Sequence, residues 1–160
     1  MYGARWVGNI GGGTATIKNF IAKSTEVITK GDWISIDDAS GHADVAGADE
    51  PLMGIANETV TGTGSNYVEV VLALPGTLFL MDNDNDTDTF ARTDVGEWTD
   101  ITGTTGAQQV DTSTGAATPD ANSSQLVALD YNPQGFGMDG DTSIGLYTPV
   151  YTYFASSYVE

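Results

Sequence analysis

Cysteine is absent from this chain, and histidine occurs once, as His42. Without thiols there are no disulfides, no thiolate metal sites and no cysteine nucleophile. A lone histidine leaves a zinc site without its usual partners. It is also the one base a serine triad could use, and no Gly-x-Ser-x-Gly elbow is present to present the serine. Cations are nearly as scarce. Lys and Arg number 5 against 22 Asp and Glu, a formal net charge of −17. Nucleic-acid binding draws most of its affinity from cations that neutralise phosphate, so nucleic acid is not an expected partner. Anionic membranes are disfavoured on the same ground, and no apolar run is long enough for a membrane-spanning helix. The opening MYGARWVGNIGGGTAT lacks the apolar stretch of a signal peptide. The expectation is therefore a soluble chain that does not take the secretory route. Helical periodicity is missing too: no window sustains apolar residues at i, i+3, i+4 and i+7 between caps.

What the chain does have is glycine, short polar residues and β-branched runs. Glycine (20 residues) with Thr, Ser, Asp and Asn favours turns, and β-branched residues favour strands. The richest stretch is Val27–Leu80. Its apolar runs, Trp33–Ile36, Leu52–Ala56 and Tyr67–Leu74, are separated by Lys30-Gly31-Asp32, Ala39-Ser40-Gly41, Asp49-Glu50-Pro51 and Gly62-Thr63-Gly64-Ser65-Asn66. Short strands at roughly ten-residue spacing with such turns between them predict an all-β fold, a small β-barrel or sandwich. A length of 160 residues suits one domain, or one domain with a small second lobe.

Three parts are expected. Residues 1–15 read as an extended N-terminal arm, loosened by Gly3, Gly8, Gly11, Gly12 and Gly13 yet carrying Tyr2, Trp6, Val7 and Ile10. A solvated tail would not carry those apolar side chains. They point to a segment that orders on a partner or a neighbouring subunit, or to a first strand folded onto the chain's own barrel. Residues 16–154 form the β-rich domain, with 27–80 as the barrel core and 81–154 as an elaboration or second β lobe. Residues 155–160 are a tail. Charge divides along the same lines: residues 1–30 carry +3, and the remainder carries −20 with Arg92 as its one cation.

Strands are predicted over 16–23 with Ile17 inward, then at Trp33–Ile36, Leu52–Thr61, Tyr67–Leu74, Thr77–Met81, Thr89–Thr93, Trp98–Ile101, Gln108–Val110 and Gln125–Tyr131. The last, Ile144–Phe154, is predicted to be broken by Pro149. Between Gln108–Val110 and Gln125, residues 102–124 read as a long polar loop. Lys30-Gly31-Asp32-Trp33 and Val95-Gly96-Glu97-Trp98 share a Gly-acid-Trp step into a strand.

No catalytic apparatus stands out, and no enzyme activity, metal or cofactor is expected. Asp82, Asp84, Asp86 and Asp88 match the first ligand spacings of a calcium loop. Thr87 and Thr93 stand where that loop needs Gly and Glu, so a solvated acidic tip is the reading. His42 reads as an exposed turn residue. Carboxylates are plentiful, but nothing selects a glycosidase pair. Gly11-Gly12-Gly13 is followed by neither Gly-Lys-Ser/Thr nor a helix, so it is no phosphate loop. Trp6, Trp33 and Trp98, with Tyr147, Tyr151 and Tyr153 at one strand parity, could form a sugar platform, or could simply be core and interface.

The order Val-x-x-Gly-Asp-x-apolar-x-apolar, a glycine turn, Ala-x-x-Asp-x-Pro-apolar-x-Gly-apolar-Ala-x-Glu-Thr, a Val-rich strand and Pro-Gly resembles the capsid decoration, or head cement, proteins of tailed bacteriophages. Here it falls on Ile28, Gly31, Asp32, Ile34, Ile36, Gly41, Ala48, Asp49, Pro51, Gly54, Ile55, Ala56, Glu58, Thr59, Val68, Val70, Pro75 and Gly76. The resemblance covers about a third of the chain. It implies a non-enzymatic virion protein made in the host cytoplasm and placed on the outer surface of the capsid. Its partners would be the major capsid protein and itself, as a homotrimer. The arm residues Tyr2, Arg5, Trp6, Val7 and Ile10 would make the capsid or subunit contacts. The alternative is a receptor- or carbohydrate-binding head or tail appendage.

Overall fold

The computed structural model describes residues 3–9, 11–48, 50–74, 76–82, 92–118, 125–128 and 147–152. The described part is all-β, with a single 3-10 turn at Arg92–Asp94. A five-stranded antiparallel sheet is built from β2 (Ile17–Ile21), β4 (Trp33–Ile36), β5 (Ala43–Val45), β6 (Gly54–Ala56) and β8 (Tyr67–Leu72), in the order β2-β8-β6-β4-β5. Across one face lies the small ribbon of β3 (Val27–Ile28) and β7 (Val60–Thr61). Across the other lies a six-stranded sheet. It holds β1 (Arg5–Asn9), β9 (Thr77–Asp82), β10 (Trp98–Thr102), β11 (Gln109–Ala116), β12 (Leu126–Ala128) and β13 (Tyr147–Thr152), in the order β1-β9-β13-β12-β10-β11.

The five-stranded sheet is buried on both faces at its centre, and alternation sorts its residues between two cores. Trp33, Ile55, Val71 and Ala73 point toward the six-stranded sheet and pack with Phe79, Met81, Ile101, Val110 and Leu126. Ile34, Ala56, Val68 and Val70 point the other way and pack with Ile28, Ala22 and Ala43. Trp33 anchors the first core. It is fully buried, sits edge-on to Phe79 with 4.8 Å between ring centres, and directs its indole N–H at Met81 Sδ, 2.9 Å away.

No closed barrel forms among the described residues, which corrects the barrel expectation. The five-stranded sheet curls far enough for its two edges to touch, at the isolated bridge Ala22↔Ala43 and the bond from Lys23 N to Ala43 O (2.9 Å). One bridge is not a ladder, so the sheet is curled but open.

Four local expectations also change. Ile17 is 49% exposed, because strand parity tells which residues share a face but not which face is covered. Strand β11 runs on through Asp111–Ala116, where a polar loop was expected, because pairing with β10 supplies what apolar content does not. Residues 92–94 form a 3-10 turn instead of strand. Strand β13 continues through Pro149. The β12 ladder ends at Ala128↔Val150, so Pro149 faces β9 alone and interrupts no second ladder.

Candidate functional site

The residues that carry the sequence pattern turn out to hold the scaffold together. Asp32 is fully buried. Its carboxyl oxygens accept hydrogen bonds from Thr29 N (2.7 Å), Thr105 Oγ1 (2.6 Å) and Gly106 N (2.7 Å). One side chain thus closes its own turn and ties it to the β10–β11 hairpin more than seventy residues away. Next to it, Gln108 accepts from Trp33 N and donates to Ala46 O, both at 2.6 Å. Gln125 does the same for the far side of the sheet, accepting from Ile101 N (2.8 Å) and donating to Gly47 O (2.9 Å) and Glu50 O. Both glutamines are buried and replace backbone partners that the ladders leave out. Gly54 has no room for a side chain: an added Cβ would lie 2.1 Å from Val71 O.

A second cluster sits where the edges of the five-stranded sheet meet. Lys23 Nζ is paired with Asp37 Oδ1 at 3.0 Å and with Asp44. Hydrogen bonds to Asp44 and Asp37 push the Lys23 ammonium above its ordinary range. Asp37 is held down to about 2, first by the Ser40 hydroxyl and then by Lys23. Burial and the nearby Asp44 charge push Glu26 up. Beside this cluster opens a cleft of about 360 Å³ lined by Asp37, Asp38, Asp44 and Glu50. Most of its carboxylates already have work. Asp37 caps its own turn through Ser40 N (2.9 Å), and Glu50 accepts from Ser35 Oγ and Gly47 N, both at 2.9 Å. Among the described residues, no three His, Asp or Glu side chains are grouped to hold a metal ion. His42, expected to be exposed, is half-buried behind the Asp37–Gly41 turn, and its carbonyl accepts from Asp37 N (2.9 Å).

The opening segment is the third region. Arg5–Asn9 is a strand, β1, paired antiparallel with β9 at the edge of the six-stranded sheet. The expectation of a strand folded onto the chain's own body therefore describes these five residues. Upstream, Ala4 N bonds Gly31 O at 2.8 Å. The backbones approach so closely there that a Cβ on Gly31 would lie 2.9 Å from Ala4 O. Trp6 packs against the first core and directs its indole N–H to Asn9 Oδ1 (3.4 Å). Val7 is the extra residue of a bulge, unpaired with β9 and 49% exposed. Arg5 is exposed. Tyr2 and Ile10 lie outside the described residues, as do Asp84, Asp86 and Asp88 of the acidic loop, and Tyr153.

Of the five residues proposed from sequence, the structure thus places Arg5, Trp6 and Val7 on one strand. It turns Trp6 inward and Val7 outward. Of the three tryptophans, Trp33 is core, and Trp6 and Trp98 are half-buried. Sequence reading missed Gln108 and Gln125. A lone amide at the head of a strand carries no signal that separates a buried clamp from a surface residue. No known protein family, curated protein or solved structure matches this chain.

Proposed function

We propose that this chain is a non-enzymatic structural protein of a phage virion. In this reading it binds the outer surface of the capsid through the major capsid protein, assembles with itself as a homotrimer, and stabilises the shell. The observation that carries the reading is the use made of the pattern residues. Gly31, Asp32, Gly54, Ile55, Ala56, Val68 and Val70 are buried, close-approaching or hydrogen-bonded to distant elements. They specify shape, and they leave recognition to the surface.

The strongly acidic composition supports the same reading. A protein at −17 stays dispersed at high concentration until a specific contact captures it. Many copies with modest interfaces then hold by avidity. The exposed half of β1, Arg5 and Val7, is the contact we assign to the capsid or a neighbouring subunit. Neither side chain is needed inside the protomer's cores.

The test is co-sedimentation with expanded heads. Wild-type protein should pellet with heads and raise the temperature at which they release DNA. Val7→Asp with Arg5→Glu should lose most of that binding while the circular dichroism stays β-rich. Equal binding by the double variant would remove β1 from the contact, and no binding by the wild type would remove the reading.

A further inference from the structure

We propose that β1 exchanges between copies of this chain, so that the Arg5–Asn9 strand of one protomer occupies the edge of β9 in the next. The occupant is a second copy, because the receiving edge already fits this strand: within the protomer, Arg5, Trp6, Gly8 and Asn9 pair with Leu80, Phe79, Leu78 and Thr77. Exchange keeps every one of those contacts and changes only which chain supplies them.

Three features make the strand separable. It lies at the sheet edge with β9 as its one ladder partner, and the bulge at Val7 interrupts even that ladder. Its apolar attachment is small, resting on buried Ala4 and partly buried Trp6. Its connection to the rest of the chain is a glycine tether. Gly11, Gly12 and Gly13 are exposed, and a Cβ added at Gly11 or Gly12 would meet nothing. The chain is gripped again at Thr16, whose carbonyl accepts from Leu72 N at 2.8 Å. The residues from 10 to 15 can therefore reach about 20 Å when extended, far enough to pass from one body to a neighbour. Gly8 adds to this. It stands in a strand with nothing near its Cβ position, so neither sterics nor a positive φ requires glycine there. Glycine in a strand weakens it, which suits an element that leaves its place.

The inference builds on the self-association in the reading above, and the capsid plays no part in it. Its equilibrium is set by protein concentration, because the gain in contacts is nil and the opposing term is the loss of free motion on association.

The absence of cysteine gives a clean test. Gly8 and Leu78 are directly opposed across the ladder, within reach of a disulfide. Gly8→Cys is made in one preparation and Leu78→Cys in a second, isotopically labelled one. The two are mixed at high concentration, allowed to oxidise, denatured without reductant and read by mass spectrometry. A disulfide joining position 8 of an unlabelled chain to position 78 of a labelled one, rising with concentration, is the expected result. If the double variant forms that bond only within one chain and the mixture never forms it, exchange does not occur. The pair Arg5→Cys and Leu80→Cys repeats the test should either first variant fail to fold. Exchange without head binding would leave this inference standing and remove the capsid reading, and head binding without exchange would do the reverse.

Discussion

Asp32 commits both carboxyl oxygens to three donors from two distant turns. Asp32→Asn keeps the shape but turns an amide N–H toward a donor. It should lower stability by about 2–3 kcal/mol, as for other buried bonds to a carboxylate, and would be read as a lower urea midpoint at unchanged slope. Glycines separate into those the fold needs and those it does not. Gly54→Ala would drive a methyl into Val71 O and should cost about 3 kcal/mol or more. Gly8→Ala meets nothing and should stabilise β1 by about 0.5–1 kcal/mol. The Lys23 cluster sets the acid response. Asp37 is depressed, so its contribution is full above the ordinary carboxylate range and fades as pH falls toward about 2. Glu26 is raised and works in the opposite sense. It favours the folded state below its ordinary value, and that help is lost as pH rises through the raised one. Asp37→Asn should therefore remove the steep loss of stability at the acid end, and Glu26→Gln should raise stability near neutral pH. Both are measured by urea titration at a series of pH values.

At the scale of elements, legibility followed burial. Strands β4, β8 and β9 stand in the sequence as apolar runs between glycine turns, because each contributes side chains to a filled core. Strand β11, QVDTSTGA, has no such run. It is an edge strand held by its ladder to β10, and a ladder leaves no mark on composition. Closure was equally hidden. Whether five strands join into a barrel depends on the registry of β2 against β5, residues far apart in the chain, and here one bridge at Ala22↔Ala43 is all that forms. The contact residues were half legible. Apolar side chains in a glycine-rich opening signalled attachment, but only the structure separates Trp6, turned to the core, from Val7, turned out at a bulge. Strand β1 should be the first element of the six-stranded sheet to open. Amide hydrogen exchange at Arg5–Asn9 should be much faster than at Thr77–Asp82, which β13 also protects from its other side. Equal protection in the two strands would contradict a separable β1.

For the whole molecule, two sheets and a ribbon enclose two cores, and buried amides and one buried carboxyl group lock the layers together. The described residues build a rigid body rather than a reaction centre, and the surplus of negative charge lies outside its cores. Such a body serves by being placed. Because the proposed role is attachment to a shell, a density map of expanded phage heads incubated with saturating protein tests it most directly. The map should show added three-fold density on the outer surface, with the β1 edge against the shell or against a neighbouring copy. A bare shell at saturating concentration would contradict it.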